Sequence, residues 1–134
     1  MTPRAARRGL AGRRVLVVED DPFIAMELAD LLLGEGCDVV GPAFNLAAAL
    51  DLAAHEHLDA ALLDVNLAGE RVFPVADALT GSSVPFVFVT GYGQAGLSPA
   101  YAGHATIDKP FDPSHFAAQV AEALGLDPPM AGGG

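Results

Sequence analysis

Lysine is almost missing from this 134-residue chain: Lys109 is the only one. It and six arginines make up the seven basic residues, against 17 acidic ones, for a formal net charge of −10. Arg4, Arg7, Arg8, Arg13 and Arg14 all precede the first acid, Glu19, so from residue 15 onward only Arg71 and Lys109 oppose every acidic group. A body so charged repels phosphate backbones, which argues against a nucleic-acid partner. Cysteine is equally scarce. Cys37 stands alone, which excludes an internal disulfide and a multi-cysteine zinc site. Long apolar runs are lacking too: nothing approaches the ~18–20 residues of a membrane helix, and no apolar stretch follows the basic N-terminus as in a secretory signal. A cytoplasmic protein without membrane insertion is the expectation.

What is present is an even spread of apolar residues, 51% of the chain, enough for one core in one domain. The expected layout is a flexible basic leader over 1–13, a folded domain over 14–125 and a disordered tail over 126–134. "RVLVVE" is a β-branched apolar run ending in acid, as in a strand buried on both faces. "DDPFIAMELADLLLGEG" then reads as a helix capped by Asp21, with Pro22 at its first position. "CDVVGPA" is a second strand stopped by Gly41-Pro42, Asn45 caps the helix "LAAALDLAAHEH", and "LDAALLDV" is a third strand. The 66–70 segment is expected as a loop, and "VFPVADALT" as a helix with Pro74 in its first turn. "VPFVFVT" and "HATID" are the fourth and fifth strands, joined by "GYGQAGLSPAYAG", which has room for at most a short helix. "DPSHFAAQVAEALG" is a capped final helix.

Alternating strands and helices predict an α/β fold, a parallel sheet covered on both faces, with chemistry beyond the carboxyl ends of its strands. Those ends hold Glu19, Asp20 and Asp21 after the first strand, Asp64 after the third, Thr90 after the fourth and Lys109 after the fifth. Clustered carboxylates repel unless a cation neutralises them, and oxygen-only donors favour Mg²⁺. An Asp oxygen left free is a nucleophile toward phosphorus, and Thr90 and Lys109 then compensate the phosphoryl charge. Plainer readings stand beside these. Asp21 is a helix cap, Glu19-Asp20 serves either capping or metal binding, and Thr90 and Lys109 taken singly are ordinary surface groups. His55 and His57 suit a helix C-terminus rather than a metal, and Cys37 reads as a small core residue.

"VLVVEDDP", "ALLDVNLAGE", "FVTGYG" and "DKPF" follow one another as in the receiver domain of two-component response regulators, and the resemblance covers roughly residues 14–124. It implies a flavodoxin-like (βα)5 doubly wound sheet of order 2-1-3-4-5. It also implies that Asp64 is the phosphoacceptor, taking a phosphoryl group from a phosphohistidine of a sensor histidine kinase or histidine phosphotransfer protein. Asp20 would bind Mg²⁺ directly and Glu19 through water, Asn66 would offer a backbone carbonyl, and Lys109-Pro110 would match the family's cis peptide. Two departures stand out. Thr106 takes the place of the usual switch aromatic, and the stretch from Asp64 to Lys109 is short enough to imply a shortened fourth helix. Both features, with "PFVFVTGYG", resemble the FATGUY subgroup of stand-alone receivers, although Val89 stands where that motif has alanine. Thr90, Tyr92 and Thr106 are the switch candidates.

The function implied is a single-domain response regulator, a phosphoacceptor rather than an enzyme, monomeric or weakly dimeric. It would signal by protein contacts to a downstream partner through the side formed by "GLSPAYAG", the fifth strand and the final helix. The alternative is a Mg²⁺-dependent aspartyl-phosphate phosphatase or phosphotransferase of dehalogenase type, whose nucleophile sits in Asp-x-Asp where this chain has Asp64-Val65-Asn66.

Overall fold

The computed structural model describes residues 9–126. Its main sheet is built from β1 (Arg14–Val18), β2 (Asp38–Ala43), β3 (Ala60–Asp64), β6 (Phe86–Thr90) and β7 (Thr106–Asp108), all parallel, in the order β2-β1-β3-β6-β7. A two-stranded antiparallel ribbon, β4 (Asn66–Leu67) with β5 (Glu70–Arg71), lies where a loop was expected. With the ribbon set aside, the order is the 2-1-3-4-5 of a flavodoxin-like fold.

Alternation within each strand divides the core between two faces. Leu16, Val18, Ala61, Leu63, Phe86 and Phe88 meet Ala49 of α2 (Leu46–His55) and Val75, Ala76 and Leu79 of α3 (Phe73–Gly81). Val15, Val17, Leu62, Val87, Val89 and Ile107 meet Leu28 and Leu32 of α1 (Pro22–Gly34) and Phe116 and Val120 of α4 (Pro113–Ala123). Covering both faces is why β3 and β6 are buried at every position. Each such Leu or Phe taken out of water stabilises the fold by about 1.5–3 kcal/mol.

The caps fall where the sequence puts them. Asp21 accepts from the Phe23 and Ile24 N–H groups, Asn45 from Ala48 and Asp112 from Ser114. Strand β2 does not stop at Gly41-Pro42. It continues to Ala43 through an irregular register between Leu16 and Val18 of β1. Gly41 makes this possible at φ 94, where a Cβ would lie 2.8 Å from the Ala43 nitrogen and 3.1 Å from the Val17 carbonyl.

The fourth crossover carries two 3₁₀ turns, Gly93–Gly96 and Pro99–Tyr101, in place of an α-helix. Gly91, Gly93, Gly96 and Pro99 leave too few helix formers in this stretch. Tyr101 does part of a helix's work. Its ring stacks on Phe73 at 5.7 Å and meets Phe88 edge-on at 5.5 Å.

At the N-terminal side, Leu10 is buried and the Gly12 N–H donates to the Gly36 carbonyl. Residues 9–13 thus pack on the domain, although the sequence reading placed them in the leader. Leu126 likewise packs against the core at the other end. The expected leader over 1–8 and tail over 127–134 lie outside the described residues. Among the described residues, no helix is long and apolar enough to cross a membrane.

Candidate functional site

The carboxyl edge of the sheet holds an open cleft of about 760 Å³ lined by Glu19, Asp20, Asp64, Thr90 and Lys109 among others. Strand pairing sets this arrangement. Glu19 follows β1 and is pinned by its N–H to the Ala43 carbonyl at 3.0 Å. Asp64 ends central strand β3, paired in register with Val89. Lys109 follows β7, its N–H donating to the Thr90 carbonyl at 2.9 Å. All six residues at the strand ends, the helix cap Asp21 included, line this cleft.

Glu19 is 0% exposed, Asp64 6% and Thr90 3%. One carboxylate oxygen each from Glu19, Asp20 and Asp64 fall within 4.8 Å of one another. Lys109 Nζ lies 2.8 Å from Glu19 Oε1 and 3.5 Å from Asp64 Oδ1. Burial, reinforced by hydrogen bonding and charge from Glu19, pushes the Asp64 carboxyl up to about 8. Burial acts to raise Asp20 as well, but the Ala68 N–H at 2.8 Å and bonds with Asp64 and Glu19 outweigh it and hold the pKa below the usual range. For Lys109, burial works against the charge. The Glu19 hydrogen bond and the Asp64 and Glu19 charges prevail, and the pKa is raised.

These donors fit a hard divalent cation: all are oxygens, and their spacing suits one ion. Asn66 sits on the ribbon, its N–H donating to Asp64 Oδ1 at 3.4 Å and its side-chain oxygen taking the Gly69 N–H at 3.0 Å. Ala68, at φ 52, turns the ribbon and aims its N–H at Asp20. The Lys109-Pro110 bond is cis.

The switch candidates separate. Thr90 Oγ1 accepts the Tyr92 N–H at 3.0 Å inside the cleft. Tyr92 lines the rim and is 80% exposed. Thr106 is half-buried, paired with Phe88 away from the acidic cluster. Two residues escaped the sequence reading. Arg71 reaches into the cleft from β5, and Gly96 lies so close to Thr90 that a Cβ would fall 3.2 Å from its hydroxyl. For Arg71 a signal existed, since it is the one cation besides Lys109 beyond residue 15.

A doubly wound parallel sheet with an acidic cleft at its carboxyl edge, faced by a hydroxyl and a lysine, defines a signalling class of the flavodoxin-like fold. The chain belongs to the response regulator receiver domain family, whose sequence profile matches residues 15–121. It is 33% identical over 118 residues to the phyllosphere-induced regulator PhyR of Methylorubrum extorquens, covering 82% of this chain and 43% of that protein. Among solved structures, SdrG from Sphingomonas melonis Fr1 matches with a TM-score of 0.75 and 36% identity, covering 87% of this chain and 98% of SdrG. PhyR from Brucella abortus matches at 0.76 and 28%, covering 89% of this chain and 50% of that one. The chain spans less than half the length of the curated relatives it matches.

Proposed function

We propose that the chain is a single-domain response regulator that accepts a phosphoryl group on Asp64 from the phosphohistidine of a sensor kinase or phosphotransfer protein. The observation that carries this reading is the buried Asp64 carboxyl, within reach of two further carboxylates and 3.5 Å from the Lys109 ammonium. An Asp64 oxygen attacks phosphorus, the P–N bond breaks, and the imidazole nitrogen keeps the electron pair and takes up a solvent proton. Asp20, Glu19 and Asp64, with the Asn66 backbone carbonyl, would hold Mg²⁺. When bound, it supplies positive charge against the carboxylates and the phosphoryl oxygens.

The chain's own residues do the rest. Lys109 draws the phosphoryl group toward Asp64, and Thr90 turns its hydroxyl to a phosphoryl oxygen. The Tyr92 rim and the short fourth crossover carry the change outward to a downstream protein. The protein is thus a phosphoacceptor whose phosphorylation and dephosphorylation are self-catalysed, in a cytoplasmic setting, as a monomer or weak dimer. The dehalogenase-type alternative draws no support from the family or the structural neighbours.

The test is incubation with Mg²⁺ and acetyl phosphate, and separately with beryllofluoride, followed by mass spectrometry and NMR. Wild type is expected to gain an Asp64-linked phosphoryl group and to show shift changes around the cleft. Asp64→Ala is expected to show neither. An unmodified wild type in both assays sinks the reading.

A further inference from the structure

Apart from Lys109, the cleft holds one other cationic side chain among the described residues, and the phosphotransfer scheme leaves it without a role. Arg71 stands directly opposite Asn66 in the ribbon, so both side chains rise from the same side of the antiparallel pair. The ribbon under it is fixed: Leu67 and Val72 are fully buried, and the Val72 N–H donates to the Val65 carbonyl at 3.0 Å. Its guanidinium lies over the Phe73 ring at 5.2 Å and donates through one nitrogen to the Gly96 carbonyl. Gly96 in turn abuts the Thr90 hydroxyl. One side chain therefore spans the cleft from the acceptor-side ribbon to the backbone beside Thr90.

We propose that Arg71 is a second phosphoryl-binding residue, leaving the Gly96 carbonyl for the phosphoryl oxygens once Asp64 is modified and so freeing the Gly93–Gly96 turn. This rests on the phosphoacceptor reading of Asp64. A guanidinium carries five N–H donors in a planar fork that matches a phosphoryl group, and a single neutral carbonyl is a poor use of them. Lys109 is already committed to Glu19 and Asp64. The added negative charge therefore meets Arg71 as the cation still held only by a neutral acceptor. The side chain that exchanges partners is exposed, lines the same cleft as Asp64 and rises from a ribbon anchored beneath it. The exchange also joins binding to signalling: the bond lost at Gly96 tethers the Gly93–Gly96 turn to the acceptor-side ribbon.

The experiment compares wild type, Arg71→Ala, Arg71→Lys and Asp64→Ala for beryllofluoride affinity in Mg²⁺, with the Gly93–Tyr101 amides followed by NMR. Arg71 is exposed, so the variants keep the fold, which a thermal melt verifies. Arg71→Ala is expected to bind beryllofluoride about tenfold more weakly. Its Gly93–Gly96 amides should already sit, without ligand, near the positions wild type reaches on binding. Arg71→Lys keeps the charge without the fork and is expected to regain part of the affinity. Wild-type affinity and wild-type shift changes in both Arg71 variants overturn the inference while leaving the acceptor role of Asp64 intact. Loss of the wild-type response itself strikes the acceptor reading instead.

Discussion

The two sides of the cleft at the carboxyl edge of the sheet are built to different standards. On the Glu19–Asp64 side, side chains hang from strands paired over their whole length and covered by helices on both faces. On the far side the chain passes from Thr90 to Ala105 through two 3₁₀ turns, with Tyr92 almost fully in solvent. Within that crossover Gln94 ties the first turn to the end of the segment: its Nε2 donates to the His104 carbonyl at 2.8 Å, and its Oε1 takes the Gly103 N–H at 2.7 Å. Capture of a small charged group calls for fixed geometry, whereas reporting its arrival calls for a segment with little stability to lose. Under the proposed function, each demand falls to its own side.

Removing Lys109 tests the rigid side most severely. Lys109→Ala leaves Glu19 and Asp64 buried without their ammonium, which is expected to cost about 3 kcal/mol in denaturant unfolding. Phosphoryl uptake from acetyl phosphate should also fall on the order of 100-fold.

A second effect follows from pH. A carboxyl whose pKa rises on folding from its ordinary value near 4 to about 8 binds its proton more tightly in the folded state. The stability it contributes is complete below its ordinary pKa and is lost as pH climbs through about 8. In metal-free buffer, the thermal midpoint of wild type relative to Asp64→Asn should therefore decline from pH 5 to pH 8, and Mg²⁺ should reduce that decline. A flat difference would mean that Asp64 carries no such strain.

On the loose side, Gln94→Ala removes both of its hydrogen bonds and is expected to cost only about 1 kcal/mol globally. Amide exchange across Gly93–His104 should quicken while β1 and β3 stay protected; equal quickening everywhere would erase the contrast between the two sides. The smallest change in stability belongs to Tyr92. Tyr92→Ala should leave unfolding within about 0.5 kcal/mol of wild type and phosphoryl uptake unaltered, yet weaken phosphorylation-dependent partner binding. If Tyr92→Phe and Tyr92→Ala both bind the partner normally, Tyr92 has no part in the switch.

The rigid side was also the legible one. Buried parallel strands announce themselves as short β-branched runs, and "VLVVED" and "ALLD" end in the acids the fold then gathers. The caps at Asp21, Asn45 and Asp112 are equally local signals. What escaped depends on contacts between residues distant in sequence. The ribbon is a two-residue pairing set by the left-handed turn at Ala68 and Gly69, and no periodicity marks it. The continuation of β2 past Pro42 depends on Gly41 fitting against β1. The placing of Arg71 beside Gly96, 25 residues on, is likewise a matter of tertiary packing.

The solitary lysine has a practical consequence. Because Lys109 is the chain's only lysine, supplying ¹⁵N at the lysine side chain places a single ε-amine resonance in the spectrum, 3.5 Å from the Asp64 carboxyl. No mutation and no assignment campaign is needed to read it. Its position and line width would report, as one signal in the unaltered protein, the cation binding and phosphoryl transfer proposed for Asp64.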